Sequence, residues 1–417
     1  MTIRSSLGRT MIAGVASAML MVGPASAKTV LKVWTIPWSD VAHAAFKSVI
    51  AEFEAQHPDI VIKEETRGID EHKAAMRVAV NSGVGPDIYF MWGGLGLGGE
   101  FVNAGASAPL DAAYAKYHWD QRFVPAALDD TRRYKGQRHG VPFVIHGEGL
   151  YYNKALFARA GIKTLPQSYD ELVADAQKLK TAGIPAIVFG GSVNWHLMRL
   201  MDEILEVKCG AEKHDALMAM KLDWSKEPCT TASFTELKRW ADDFMLKPFM
   251  GLADDQAQGL FYAGRVAMAL EGDWFVNMVA THGNLANTGL FLFPTGTDRL
   301  YFFSEQFYVG AKSEHKEAAI EFLNFLTSPA EQQKYLGKFA STSVDKNIDY
   351  STDHVALDHV WYKLISGAKG SFANGDQAFP VDVTTEYWRI IDQVASDNMS
   401  PQAAAVGMQT FIAHRKQ

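Results

Sequence analysis

The chain has 417 residues, a formal net charge of −7 and 48% apolar residues, which is too long for one ordinary core and suits two lobes. A net-acidic chain without a basic run is a poor match for nucleic acid or anionic lipid. Beyond the N-terminal segment no stretch approaches the ~20 uninterrupted apolar residues of a transmembrane helix. No G-x-x-x-x-G-K-[ST], H-E-x-x-H or G-x-S-x-G motif offers a phosphate loop, a zinc protease site or a nucleophile elbow.

Arg4 and Arg9 precede an apolar run from Met11 to Val22, followed by Pro24 and Ala25-Ser26-Ala27. This pattern predicts a secretory signal peptide over residues 1–27, cleaved before Lys28. No cysteine follows the run and the two arginines are not adjacent. The expected product is therefore free in the periplasm, neither lipid-anchored nor inserted in the membrane.

Val30 to Trp34 reads as a first strand, and Val41 to Gln56 as a helix with apolar residues at helical spacing. Ile60 to Lys63 is a second strand, Glu71 to Ser82 a helix, and Asp87 to Trp92 a nearly all-apolar third strand. This alternation predicts a mostly parallel α/β sheet. A second α/β series begins near Gly140. It has strands at 141–145, 150–152 and 186–189, and helices at 154–160, after the Ser168 cap, and around 196–207 and 233–247. Strands at 291–294 and 308–310, an amphipathic helix over 316–326 and a mainly helical last quarter complete the pattern, with its clearest run over 385–395. Cys209 and Cys229 are the chain's only cysteines. In an oxidising compartment they can pair; two buried free thiols are the alternative.

Several segments together resemble one family. They are Leu31-Lys32-Val33-Trp34, Phe53 to Ile60 with its F-x-x-x-x-P-x-I pattern, Gly85 to Trp92, Gly140-Val141-Pro142-Phe143 and Leu150 to Phe157. Further on come Phe261 to Met268, Gly272-Asp273-Trp274 and Lys316-Glu317-Ala318-Ala319. Their order and spacing are similar to those of the extracellular solute-binding proteins of ABC transporters, in the sugar-binding branch that includes maltose-binding proteins. The resemblance implies a two-lobed periplasmic binding protein fold of α/β class, with three hinge crossovers and a central ligand cleft. The crossovers fall near 140–142, 305–309 and 340–343. The implied N-terminal lobe is 28–141 plus 308–341, and the C-terminal lobe is 142–307 plus 342–417. The implied role is capture of a mono- or oligosaccharide and its delivery to membrane permease subunits, by a monomer with no cofactor, metal or catalytic residue.

A sugar ring has an apolar face for aromatic stacking and a rim of hydroxyls for short polar side chains. Ligands of open α/β sheets sit beyond the carboxyl ends of strands. Trp38 and Asp40 after the first strand, Trp92 and Gly93 at the end of the third, and Trp195 after Gly190-Gly191 meet that pattern. By the resemblance, Asp273 with Trp274, His146 with Glu148 near the first crossover, and Glu305 at the second join them. Gly94 to Gly99 matches G-x-G-x-x-G, but it follows the third strand and no strand ending in an acid follows ~20 residues on. Trp34, Trp119, Trp224, Trp240 and Trp361 are expected in packing roles.

Two rivals share these residues. A secreted carbohydrate-active enzyme would need two carboxyls ~5–9.5 Å apart, with Asp273 and either Glu305 or Asp40 as the candidates. The same fold could instead take a polyol, sugar acid, polyamine or metal ion. A polyamine site needs several carboxylates, and a metal site needs clustered histidine, tyrosine or carboxylate.

Overall fold

The computed structural model describes Met1, Thr2, residues 28–131, Tyr134 and residues 136–415. The predicted signal segment therefore lies, beyond its first two residues, outside the described residues. Eight strands form the sheets among the described residues: β1 (Thr29–Thr35), β2 (Ile60–Thr66), β3 (Ile88–Trp92), β4 (Gly140–Asn153), β5 (Met268–Gly272), β6 (Thr288–Phe291), β7 (Arg299–Val309) and β8 (Gly370–Phe372). Their order is β2-β1-β3-β7-β4-β5, with β6 on β4 and β8 on β7.

The first lobe grows from an α/β repeat. β1 runs parallel to β2 and β3, and the helices Asp40–Gln56 and Ile69–Ser82 make the crossovers. Leu31, Val33 and Thr35 are buried while Lys32 faces solvent, as period-two alternation requires. Phe46 and Phe90 of this lobe meet Phe143 and Phe307 of the strands that cross between the lobes, with Phe46 stacked on Phe307 at 5.6 Å. The second lobe packs around the long helix Asn194–Met218 and the helices Pro228–Asp243, Val381–Ala395 and Pro401–Arg415, with Trp224, Trp240 and Tyr387 fully buried among them.

β4 and β7 belong to both lobes. They pair antiparallel from Gly140 opposite Tyr308 to Gly147 opposite Phe302. β7 continues onto β3 through residues 305–309, and β4 continues through 148–153 between β5 and β6. The register slips between Pro142 and Val144. Pro142 has no N–H for the ladder, and Phe143 is the extra residue of a bulge. Ser343 bridges to Val144, and the Thr342 hydroxyl donates to the Ile145 carbonyl at 3.4 Å. The three segments expected to cross between lobes thus lie side by side.

The expected elements differ from the structure where strands cross the middle. Strands anticipated at 141–145 and 150–152 are one 14-residue strand. Residues 146–149, which lie between the two expected strands, continue the same strand, and His146 and Glu148 face a cavity at mid-length. The strand anticipated at 308–310 is the end of an 11-residue strand. The one anticipated at 291–294 lies at 288–291, and 186–189 makes only bridges from Ile187 to Met245 and Met268. β8 carries no apolar run of its own and was not anticipated.

Cys209 and Cys229 form a disulfide that joins the helix Asn194–Met218 to the first turn of the helix Pro228–Asp243. Gly210, beside it, breaks the longer helix with φ 71°. Closing a 20-residue separation is worth about 3 kcal/mol through the unfolded chain's entropy. Reduction, or Cys209→Ser, is expected to lower the stability read from urea unfolding by about that amount, with a somewhat steeper slope as the unfolded chain expands, followed by circular dichroism.

Candidate functional site

A cavity of about 290 Å³ lies where β4 and β7 pass between the lobes, at the low end of the ~300–1,000 Å³ usual for small-molecule sites. β1 and β3 point their carboxyl ends at it. Trp38 follows β1 and is wedged edge-on against Phe46, Phe90 and Phe143 at 5.3–5.7 Å. Trp92 closes β3, with Phe90 edge-on at 4.9 Å and the Lys73 ammonium 5.3 Å from its ring centre.

The second lobe supplies Trp195, Trp274 and Arg199. Trp195 and Arg199 are one turn apart on the helix Asn194–Met218, so both reach the same side. The Arg199 guanidinium lies 4.4 Å from the Trp195 ring and 5.0 Å from the Trp274 ring. It pairs with Glu148 at 3.2 Å and Glu271 at 2.8 Å. Burial opposes the charge on Arg199, but these two carboxylates outweigh it and raise its pKa. Gly272 leaves room for the Trp274 ring, which a Cβ there would strike.

His146, on β4, links the crossing segments. Its Nδ1 lies 2.6 Å from Asp273 Oδ1, and its Nε2 lies 3.5 Å from Glu305 Oε1. The other oxygen of Asp273 accepts the Ser341 N–H at 3.0 Å, and the Ser341 hydroxyl donates to Asp358. First, second and third crossovers therefore meet around one imidazolium. Burial works against its charge, yet Asp273 and Glu305 raise its pKa to about 10.

Several cavity-lining polar atoms have no partner within the protein. They are Glu148 Oε2, Asp254 Oδ1, Asp376 Oδ1, both amide atoms of Gln377 and the Trp38 indole N–H. Burial pushes the Glu148 carboxyl up to about 8 despite Arg199, and it also raises Asp376. Each unpartnered buried group costs about 1–3 kcal/mol, so a hydroxyl-bearing ligand has several bonds to make here.

Seven of the residues anticipated from sequence line this cavity: Trp38, Trp92, His146, Glu148, Trp195, Trp274 and Glu305. Three do not. Asp40 is exposed at the start of its helix, where a carboxylate suits the positive end of the dipole, and Ser39 makes the cap. Gly93 is buried behind Trp92, its N–H given to the Ser304 carbonyl at 2.9 Å. Asp273 is buried behind His146 with both oxygens engaged.

Lys73, Arg199, Asp376 and Gln377 line the cavity and were not anticipated. Arg199 was findable as the i+4 neighbour of Trp195. Lys73 sits on the helix Ile69–Ser82, and Asp376 and Gln377 on a four-residue helical turn, where nothing local marks them.

His196, Asp254 and Glu271 bring donor atoms within 4.8 Å of one another. Most of those donors are committed, whereas Asp254 Oδ1 accepts no hydrogen bond and lies 3.2 Å from His196 Nδ1. His196 Nδ1 accepts the Gly190 N–H at 2.8 Å, Gln258 donates to Asp254 and Glu271, and Arg199 holds Glu271. Arg199, first among the opposing charges, keeps Glu271 below its ordinary range against the effect of burial. The group is built as a support for Arg199 rather than as a cation cage.

A group whose folded pKa lies above its unfolded value adds stability that is full below the unfolded pKa and is lost as pH rises through the folded one. His146 should therefore contribute fully below about pH 6.5 and lose its contribution up to about pH 10, on the order of a few kcal/mol. Urea unfolding of wild type and His146→Gln across pH 6–10 is expected to show the two stabilities converging with rising pH.

A family model described as bacterial extracellular solute-binding protein matches residues 39–333. An uncharacterized ABC transporter extracellular-binding protein of Pyrococcus horikoshii is 26% identical, covering 80% of this chain and 75% of its own. A "probable sugar-binding periplasmic protein" of Rhizobium meliloti is 25% identical, covering 83% and 84%. A chitin oligosaccharide binding protein of known structure superposes with a TM-score of 0.85 at 21% identity, covering 93% and 98%. Among the described residues no helix is long and apolar enough to cross a membrane.

Proposed function

We propose that this chain, which belongs to the family of bacterial extracellular solute-binding proteins, captures a mono- or oligosaccharide in the cleft between its lobes for an ABC permease. The observation that carries this reading is the convergence of Trp38, Trp92, Trp195 and Trp274 on one cavity that also holds unpartnered carboxylate, amide and indole groups. Indole faces take the apolar faces of a pyranose, and the polar atoms take its hydroxyls. The name of the Rhizobium meliloti relative and the ligand of the chitin oligosaccharide binding protein support the same class.

In this reading residues 1–27 are a cleaved signal peptide and the mature protein works as a periplasmic monomer. The lobes are 28–141 with 308–341 and 142–307 with 342–417. The lobes close over the ligand, whose bonds to both halves stabilise the closed population, and a permease reads the closed surface. Affinity near micromolar corresponds to about −8 kcal/mol.

The protein carries out no reaction on the sugar. The two carboxylates that the sequence offered beside Glu305 as a glycosidase pair are not placed for it. Asp273 is tied to His146 and Ser341, and Asp40 is exposed outside the cavity. Carboxylates sit beside Arg199, Lys73 and His146, a mixture that favours a neutral ring over a sugar acid or a polyamine.

A thermal-shift screen against mono-, di- and trisaccharides, polyols, sugar acids and polyamines tests the class. A clear rise in melting temperature with one or a few related sugars, and no loss of ligand, is the expected result. A rise only with a cation or amine would overturn the cleft chemistry, and consumption of the sugar would favour an enzyme. Trp274→Ala is expected to weaken binding by about 2 kcal/mol, roughly 30-fold, with the fold intact. Calorimetric titration at wild-type affinity would remove Trp274 from the site.

A further inference from the structure

The turn from Asn374 to Ala378 touches both lobes. Its anchorage is in the second. The Gly375 N–H donates to Asp202 at 2.9 Å, and Asp202 also accepts the hydroxyls of Tyr301 and Tyr387. The Asn374 side chain caps the turn by accepting the Gln377 N–H at 3.0 Å. The opposite contact comes from the first lobe. The Leu95 N–H, in the glycine-rich loop after β3, donates to the Gln377 carbonyl at 2.6 Å.

That approach depends on missing side chains. A Cβ on Gly94 would stand 2.5 Å from Gln377 Cα, and one on Gly96 would stand 2.5 Å from the carbonyl oxygens of both Asp376 and Phe379. Gly94 has φ 118°, but Gly96 is outside the left-handed region, so its own backbone would accept a side chain. Only the facing lobe refuses one. The same turn presents the fully buried Gln377 amide, with both atoms unpartnered, and Asp376 Oδ1 to the cavity.

We propose that the turn 374–378 couples ligand capture to lobe closure: its Asp376 and Gln377 side chains take ligand hydroxyls while the Gln377 carbonyl latches the Leu95 N–H of the other lobe. Seating the ligand fixes the turn, and the fixed turn offers the carbonyl at the right place. Gly94 and Gly96 are bare so that the two backbones meet. The ligand half of this assignment rests on the sugar-receptor reading; the latch half does not.

The test uses the full mature protein, with galactose, maltose and chitobiose as probes. Gly96→Val leaves every cavity side chain in place. It is expected to bind at least about tenfold more weakly, because the closed, competent fraction falls, and at saturation to scatter X-rays with the larger radius of the ligand-free form. Gly96→Ala should fall between it and wild type. Ligand-free melting within about 2 °C of wild type certifies the fold. Gln377→Leu keeps its carbonyl, so it should lose affinity yet still compact at saturation. Wild-type affinity and compactness in Gly96→Val would overturn the latch, and wild-type affinity in Gln377→Leu would overturn the ligand contact. If wild type binds none of the probes and no sugar of the wider screen, the sugar reading fails separately. The latch is then read with the polyols, sugar acids and polyamines of the screen: one that compacts wild type should leave Gly96→Val at the larger radius, and equal compaction overturns the latch.

Discussion

The antiparallel pairing of β4 with β7 is the constraint on which the rest of the molecule depends. Each strand is long enough to serve two sheets, so neither lobe can be assembled without the other's strands. Strand period then decides what faces the gap. His146 and Glu148 are two residues apart and point the same way, as do Phe303 and Glu305 on the partner strand. Backbone hydrogen bonding carries the ribbon through the cleft, which frees these side chains from any structural duty toward the sheet itself.

Charge in the cleft is arranged in layers. The innermost side chains that bear a full positive charge, Arg199 and His146, are each backed by two carboxylates. Buried ion pairs of this kind contribute little net stability after desolvation, but removing one partner is costly. Their effect here is positional. Arg199 spans two indoles, and His146 stands edge-on to Trp274 at 5.0 Å. The aromatic surfaces are thus held by electrostatics from behind rather than by apolar packing alone, and they meet a ligand already in place.

Much of the first lobe was legible because its signals are local. Alternating strands and amphipathic helices name themselves, and the helix expected at 316–326 is found over Lys316–Leu326. The aromatic half of the candidate site was equally legible, since a tryptophan next to a strand end has few bland uses. The polar half was harder. Asp40 looked like a cleft residue by proximity to Trp38, but helix phase turns it to solvent. Asp273 entered through the resemblance, whereas the structure seats it behind His146 with both oxygens engaged. Gln377 and Asp376 reach the cavity only because Asp202 and two tyrosines, far away in sequence, pin the turn that bears them. Tertiary anchoring of that sort leaves no periodicity to read. The long strand β4 was split for a related reason: polar residues inside a strand make sense only once a cavity is known to lie beside them.

The placement of the indoles also divides the protein's intrinsic emission. Trp119, Trp224, Trp240 and Trp361 are sealed in the cores, where solvent and solute cannot reach them. Trp38, Trp92, Trp195 and Trp274 surround the cavity, two of them beside a guanidinium and one beside an ammonium. The sealed set makes a constant background. The cavity set is where the local field and polarity change on occupancy, so the unlabelled protein carries its own optical gauge of filling, with a built-in internal standard.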